Sequence, residues 1–256
     1  MSGICFCNMV LRVINVYGIM AFIAFLSSCQ KPDAAQIINR AIEVHGGKIY
    51  EAVEVEFDFR DKHYKSYYNH GAFQYERIFQ DSTGQVRDVL TNDSFSRTID
   101  GLATPVTEKK AAAYSRSINS VFYFALLPFK LNDPSVNKRY LGQVTIRDQP
   151  YHKIEVTFQE EGGGEDFEDV FIYWVHTESN AIDYLAYVYH TDGGGKRFRA
   201  LDNVRIINGL RFADHINYEE PEHEHSIAQY DSLYDIEALP KLSKIELENI
   251  KVKHLD

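Results

Sequence analysis

Three short stretches of this sequence hold side chains that could do chemistry. His223-Glu224-His225, within EEPEHEHS, sets two imidazoles at i and i+2. A strand would present both on one side to a metal such as zinc, with His215 or Glu219 completing the set. No further ligand is identifiable, so the reading taken is a solvated acidic loop after Pro221, with His223 and His225 kept as weak metal candidates. Thr191–Arg197, TDGGGKR, has the glycines and lysine of a phosphate loop but not its Gly-Lys-Ser/Thr spacing. It also links two strand patterns where a phosphate loop opens a helix, so a hairpin turn is expected. Arg197 and Arg199 alternate with Phe198 and share a face that could take a carboxylate or a phosphate; the expected setting is a solvated outer sheet face. No Gly-x-Ser-x-Gly elbow is present. Carboxylates number 37 and histidines ten, so chance pairings abound and no acid–base couple stands out. No catalytic residue and no cofactor is assigned.

The cysteines form a firmer pattern. Residues 13–26, VINVYGIMAFIAFL, are apolar apart from Asn15 and Gly18. The run is short of the roughly 20 residues a spanning helix needs. Arg12 precedes it and Ser27, Ser28 and Cys29 close it, the charged, apolar, small-residue order of an export signal. Met9 is an alternative start, because residues 1–8 carry no charge. Cys5 and Cys7 lie in or before this leader, which leaves Cys29 as the cysteine of the mature chain. Leu26-Ser27-Ser28-Cys29 resembles the lipobox of bacterial lipoproteins. The resemblance implies a signal peptide at 1–28, lipid attachment at Cys29, a tether at 29–32 and one domain at 33–256. It also implies a partner, the membrane, reached through N-terminal acyl chains. Each buried CH₂ contributes about 0.8 kcal/mol, so two or three chains anchor permanently on cellular timescales. Gln30 is not the aspartate that often retains lipoproteins in an inner membrane, so an outer-membrane anchor facing the periplasm or the cell surface is expected.

Charge excludes one class of partner. The formal net charge is −10, and one unit more negative without Arg12. An acidic body without a basic stripe is a poor match for phosphate backbones, so no nucleic acid is expected. Protein partners are not identified.

The elements that must position these residues are mostly strands. The 17 Tyr and 16 Phe against one Trp suit pleated, half-buried surfaces. Asp33 can N-cap a first helix whose stripe is Ile37, Ile38, Ala41, Ile42 and Val44, ending at His45-Gly46-Gly47; His45 is read as a capping residue. Strict alternation follows in AVEVEFDF, 52–59. Further strands are expected at 63–68, 72–80, 85–91 and 94–99, with turn signals such as Asn69-His70-Gly71 and Asp100-Gly101 between them. Residues 107–127 lack turn residues and read as helix, and the stretch from Val121 to Leu127 is apolar on every side and must be enclosed. Strands are expected again at 142–148, 151–159, 167–175, 182–190, 195–207, 210–219 and 226–235, and the tail from Lys241 is ambiguous. The total is about eleven or twelve strands, one N-terminal helix and a mid-chain helical insertion, in a mainly β, antiparallel α+β fold. The stripe Tyr64, Tyr67, Tyr68, Phe73, Tyr75 and Phe79 is read as core.

AIEVHGGKIYEAVEVEF near the start and YLAYVYHTDGGGKRFRALDNVRIINGLRFADHINY near the end resemble a Gram-negative envelope lipoprotein family of unassigned function. More distantly the chain is similar to the lipoprotein-carrier group of LolA, LolB and LppX. That resemblance implies a curved antiparallel half-barrel whose concave side, covered by helices, holds acyl chains. The helix at 121–127 fits the place of a covering helix. On such a fold Phe57, Phe59, Phe122, Phe124, Leu126 and Leu127 are the candidate ligand-binding residues. Three readings stay open: a tethered module binding a lipid or other apolar ligand, an interaction lipoprotein without a ligand, and a metal-assisted hydrolase using His223 and His225. The first is preferred, and the protein is read as a non-enzyme.

Overall fold

Asp33 starts the first helix as the sequence implies. Its Oδ1 accepts the Ala35 N–H at 2.9 Å, and α1 runs Ala34–His45. The computed structural model describes residues 32–161, 167–190 and 193–255, and Asp33–Asp256 forms one compact unit. The leader, with Cys29, lies outside the described residues.

Two seven-stranded antiparallel sheets make up the body. The first contains β1 (Ala52–Phe59), β2 (Lys62–Asn69), β3 (Ala72–Asp81), β4 (Gly84–Thr91), β5 (Phe95–Ile99) and β6 (Leu102–Ala103), with β14 (Glu248–His254) beside β1. The second runs from β7 (Val136–Ile146) through β8 (Gln149–Phe158), β9 (Val170–His176), β10 (Ile182–Tyr189), β11 (Gly195–Ile207) and β12 (Leu210–Tyr218) to β13 (Lys241–Ile245). Between the two meanders the chain forms α2 (Glu108–Ala125), and before β13 it forms the short α3 (Tyr230–Asp235). The sheets join where the β11–β12 hairpin meets the last strand. Asn208 Nδ2 donates to Val252 O at 2.8 Å, and Leu247 N donates to Asp214 Oδ1 at 3.2 Å. The result is an open antiparallel half-barrel with α1 and α2 on its inner side.

The two sheets differ in what covers them, and their sequences differ accordingly. The first sheet is covered on one face: Val53, Val55 and Phe57 are buried, whereas Glu54 and Glu56 face water and bind Lys65 Nζ at 3.2 and 3.0 Å. The alternation of 52–59 records that single wet face. Strand β9 has no wet face. Phe171, Tyr173 and Val175 pack with Ile37, Ile38 and Ala41 of α1, while Ile172 and Trp174 pack outward under Tyr230 of α3 and Leu239. A strand buried on both sides reads as a continuous apolar run.

Three local expectations change. Fourteen strands replace eleven or twelve, because β6 is only two residues long and the ambiguous tail supplies β13 and β14. Residues 226–235 are not a strand. Ser226 and Gln229 form a reciprocal capping box that opens a 3₁₀ turn, Ile227–Gln229, and then α3. That box gives the orphan N–H groups local partners, so the segment coils as a plug over the outer face of the second sheet. Strand β7 begins earlier than residue 142, and its pairing with β8 shifts register at Gly142, where φ is 128°.

Candidate functional site

Helix α2 is held differently at its two ends. Thr107 Oγ1 caps it, accepting the Lys110 N–H at 3.4 Å. Its first half rests on charge buried on the inner face of the first sheet. Arg77 and Arg97 both bind the fully buried Asp88, at 2.7 and 2.6 Å. Arg77 Nη1 then donates to Ser117 Oγ at 3.0 Å, and the Arg97 guanidinium lies 3.9 Å over the Tyr114 ring. Its second half is apolar. Phe122 enters the aromatic row of the same sheet, with ring centroids 5.6 Å from Phe57, 5.9 Å from Tyr64 and 4.3 Å from Tyr75.

The same helix reaches the second sheet through alternate residues. Tyr123 Oη is 2.6 Å from Tyr173 Oη, and the Phe124 ring is 5.3 Å from that of Tyr187. At its exit His45 Nδ1–H donates to Leu127 O at 3.3 Å, while His45 Nε2 accepts the Ile182 N–H at 3.1 Å. These two bonds fix the tautomer. Burial first, and then Arg211, lower the His45 pKa to about 3, so the ring is neutral.

A cavity of about 960 Å³ opens between α2 and both sheets. Phe59, Tyr64, Phe73 and Tyr75 line it from the first sheet, and Phe158, Phe171, Tyr187 and Tyr189 from the second. Val121, Phe122, Phe124 and Leu126 line it from the helix, and Ser117 and Ser120 add hydroxyls. Of the six candidate ligand-binding residues, Phe59, Phe122, Phe124 and Leu126 thus border one space. Phe57 sits behind it, stacked on Tyr64 at 5.5 Å, and Leu127 turns away into the cluster under α1. Of the aromatic stripe, Tyr64, Phe73 and Tyr75 reach the cavity, whereas Tyr67 is exposed.

Arg197 and Arg199 are on the inner face, which corrects the expectation of a solvated outer face. Both line the cavity. The strand signal for 195–207 is right, but sequence alternation does not say which face of a strand turns inward. Here Leu201, on the same face as Arg199, packs inward, and Phe198, on the other face, packs against α3.

His223 and His225 do not converge on a shared point. His225 Nδ1 pairs with Glu220, and His223 Nε2 lies 3.4 Å from Glu219. The loop is tied down rather than solvated: Lys196 Nζ donates to the carbonyls of His223 and His225, both at 2.7 Å. Among the described residues no group of three or more His, Cys, Asp or Glu side chains is placed to hold a metal ion. The Gly-rich stretch before Arg197 joins β10 to β11, which pair antiparallel as a hairpin.

The profile of DUF6503, a family of unknown function, matches residues 16–247. The chain belongs to that family. No curated protein matches this DUF6503 sequence. Among solved structures, the chain is similar to a LolA superfamily protein from Nitrosomonas europaea, at 10% identity and a TM-score of 0.49, covering 88% of this chain and 96% of that one. It is also similar to a DUF1329 family protein from Desulfovibrio piger, at 8% identity and a TM-score of 0.48, with 86% and 93% covered. Lipoprotein LppX from Mycobacterium tuberculosis matches at 12% identity and a TM-score of 0.29, with 64% and 91% covered. These are the carrier-type relatives that the DUF6503 sequence resembles.

Proposed function

We propose that this protein is a lipid-anchored envelope protein whose half-barrel binds an acyl chain or similar apolar ligand on its concave side. The observation that carries this reading is the cavity. Its volume of about 960 Å³ falls in the range of small-molecule sites, roughly 300–1,000 Å³. Its wall is aromatic and aliphatic, and it is contributed by both sheets and by one face of α2. Such a space suits a flexible chain that needs apolar contact along its length.

The anchor is supported by the apolar run 13–26 ending at Cys29. Among the described residues no helix is long and apolar enough to cross a membrane. An attachment at Cys29 would therefore place the cavity beside a bilayer, the source of its ligand, with the tether at 29–32 between them. No acid–base or nucleophile–base pair lines the cavity in hydrogen-bond contact, so its chemistry is that of binding.

The test uses the chain from Gln30, which keeps the whole compact unit Asp33–Asp256. Native mass spectrometry should detect co-purified lipid, and a fluorescent fatty acid should bind saturably at one site. A wild-type body that carries nothing and takes up no acyl probe would overturn the reading.

A further inference from the structure

The cations around the cavity are paired with acids, with one buried exception. Arg77 Nη2 lies 2.7 Å from Asp88, Lys130 Nζ 3.6 Å from Asp133 and Arg197 Nη1 2.6 Å from Glu219. Arg199 is 7% exposed and has no carboxylate partner among the described residues. Its Nη2 donates to the Tyr187 hydroxyl at 2.7 Å, its guanidinium lies 3.8 Å over the Phe124 ring, and its Nε–H meets no acceptor among the described residues.

The neighbours on the inner face do not neutralise it. Asn217 stands opposite Arg199 in the β11–β12 register. His215, opposite Leu201, is held neutral, its pKa lowered to about 3 by burial and then by Arg199 itself. Asp214 is committed elsewhere, accepting from Asn203, Arg205 and Leu247 N. An arginine stays charged at physiological pH, and leaving a buried ion uncompensated is among the more costly arrangements in a protein interior. The two rings beside it hold the fork in place but supply no charge.

We propose that Arg199 is the anion-recognition site of the cavity, taking the carboxylate or phosphate terminus of an alkyl-chain amphiphile. The inference rests on the reading that the cavity holds an acyl ligand, and it adds the class and the orientation. The anionic end sits against β11, and the chain extends toward the aromatic wall of Tyr64, Tyr75 and Phe122. An arginine fork can bind either anion through more than one N–H, whereas an alcohol or ester offers it no charge. An acidic protein thus keeps one unpaired positive group where the ligand ends.

Isothermal titration of the chain from Gln30 with dodecanoate, dodecyl phosphate, dodecanol and inorganic phosphate tests this, on wild type, Arg199→Met and Arg199→Lys. Wild type should bind the two anionic chains at least about ten-fold more tightly than dodecanol, a fold-change typical of one charge-assisted contact. Arg199→Met should bind dodecanol as wild type does, lose the preference for the anions, and melt at the same or a higher temperature. Arg199→Lys should keep part of the preference. Equal affinity of wild type for the acids and the alcohol, or a preference that survives Arg199→Met, would overturn the assignment and leave the lipid cavity standing. Inorganic phosphate binding as tightly as dodecyl phosphate would make this a site for free anions and overturn the amphiphile. If no chain binds to wild type, the cavity reading and this assignment fall together.

Discussion

His45 Nε2 accepts the backbone N–H of Ile182 at 3.1 Å, so the end of the first helix satisfies the opening of β10, 137 residues later. On its other side the ring donates to Leu127 O, where α2 has just ended. One imidazole therefore ties α1, the exit of α2 and the second sheet together. The position at a helix C-terminus suggested a cap; the tertiary bonds are the larger role.

This arrangement makes stability sensitive to mild acid. His45 and His215 are both neutral in the fold, with pKa values lowered to about 3 by burial, and each titrates near 6.5 when unfolded. Between those values the unfolded chain binds more protons, so stability is complete above about pH 6.5 and falls as pH drops toward 3. Each histidine contributes up to about 1.4 kcal/mol per pH unit in that window. Carboxylates with lowered pKa values, such as Glu56 and Asp58, add their own loss only below about pH 4.5. Urea midpoints at pH 7, 6 and 5 should therefore fall steadily, and less steeply in His215→Gln. A midpoint flat from pH 7 to 5 would contradict the two buried neutral rings.

Asp88 holds two arginines on the inner face of the first sheet. Asp88→Ala leaves Arg77 and Arg97 buried without their acid, and breaking a buried pair in this way costs about 3–5 kcal/mol. Chemical denaturation should show that loss. A change below about 1 kcal/mol would mean that water reaches the cluster and does the work of Asp88.

Phe122 and Ser120 share a helix but should respond oppositely to substitution. Phe122 is 1% exposed between three rings, so Phe122→Ala should cost about 3–5 kcal/mol. Ser120 is exposed and faces the cavity. Ser120→Trp should alter stability by no more than about 0.5 kcal/mol, as surface changes do, and yet weaken uptake of a fluorescent fatty acid. Undiminished uptake by Ser120→Trp would show that the probe binds somewhere else.

Cys29 should carry the lipid. Intact-mass analysis of the protein extracted from membranes should find an acylated N-terminus at Cys29, and Cys29→Ser should lose the adduct and arrest cleavage after Ser28. An unmodified Cys29 on a normally cleaved chain would remove the anchor from the account.

Much of the fold was legible because its first sheet has one wet face. Alternation in 52–59 and the turn pairs His70-Gly71 and Asp100-Gly101 report directly on that geometry, the turn residues all having positive φ. The enclosed helix was legible for a similar reason, since Phe122, Tyr123, Phe124 and Ala125 cannot all face water. What stayed hidden depends on which side of a strand faces in. Arg199 reads as an outward residue because charge is usually solvated, and Arg77, Asp88 and Arg97 give no local sign that three strands will bring them together on an inner face. Their signal is a register, which only the paired strands supply. The segment 226–235 misled for the opposite reason: a local capping box outweighed its strand-like composition.

The last strand has a consequence for how the molecule is made. Strand β14 pairs with β1 over Val53–His254 to Asp58–Glu248, so the first strand to be synthesised acquires its outer neighbour only when the chain is nearly complete. Every other ladder in the first sheet joins strands that follow one another and can zip up early. Until then β1 is an open edge, with free N–H and C=O groups available to any other extended chain. A contact of such long sequence separation forms late and slowly. For a polypeptide that threads through a membrane end first, the half-barrel would wait on its final seven-residue strand, and premature termination there would leave an adhesive edge rather than a slightly shorter protein.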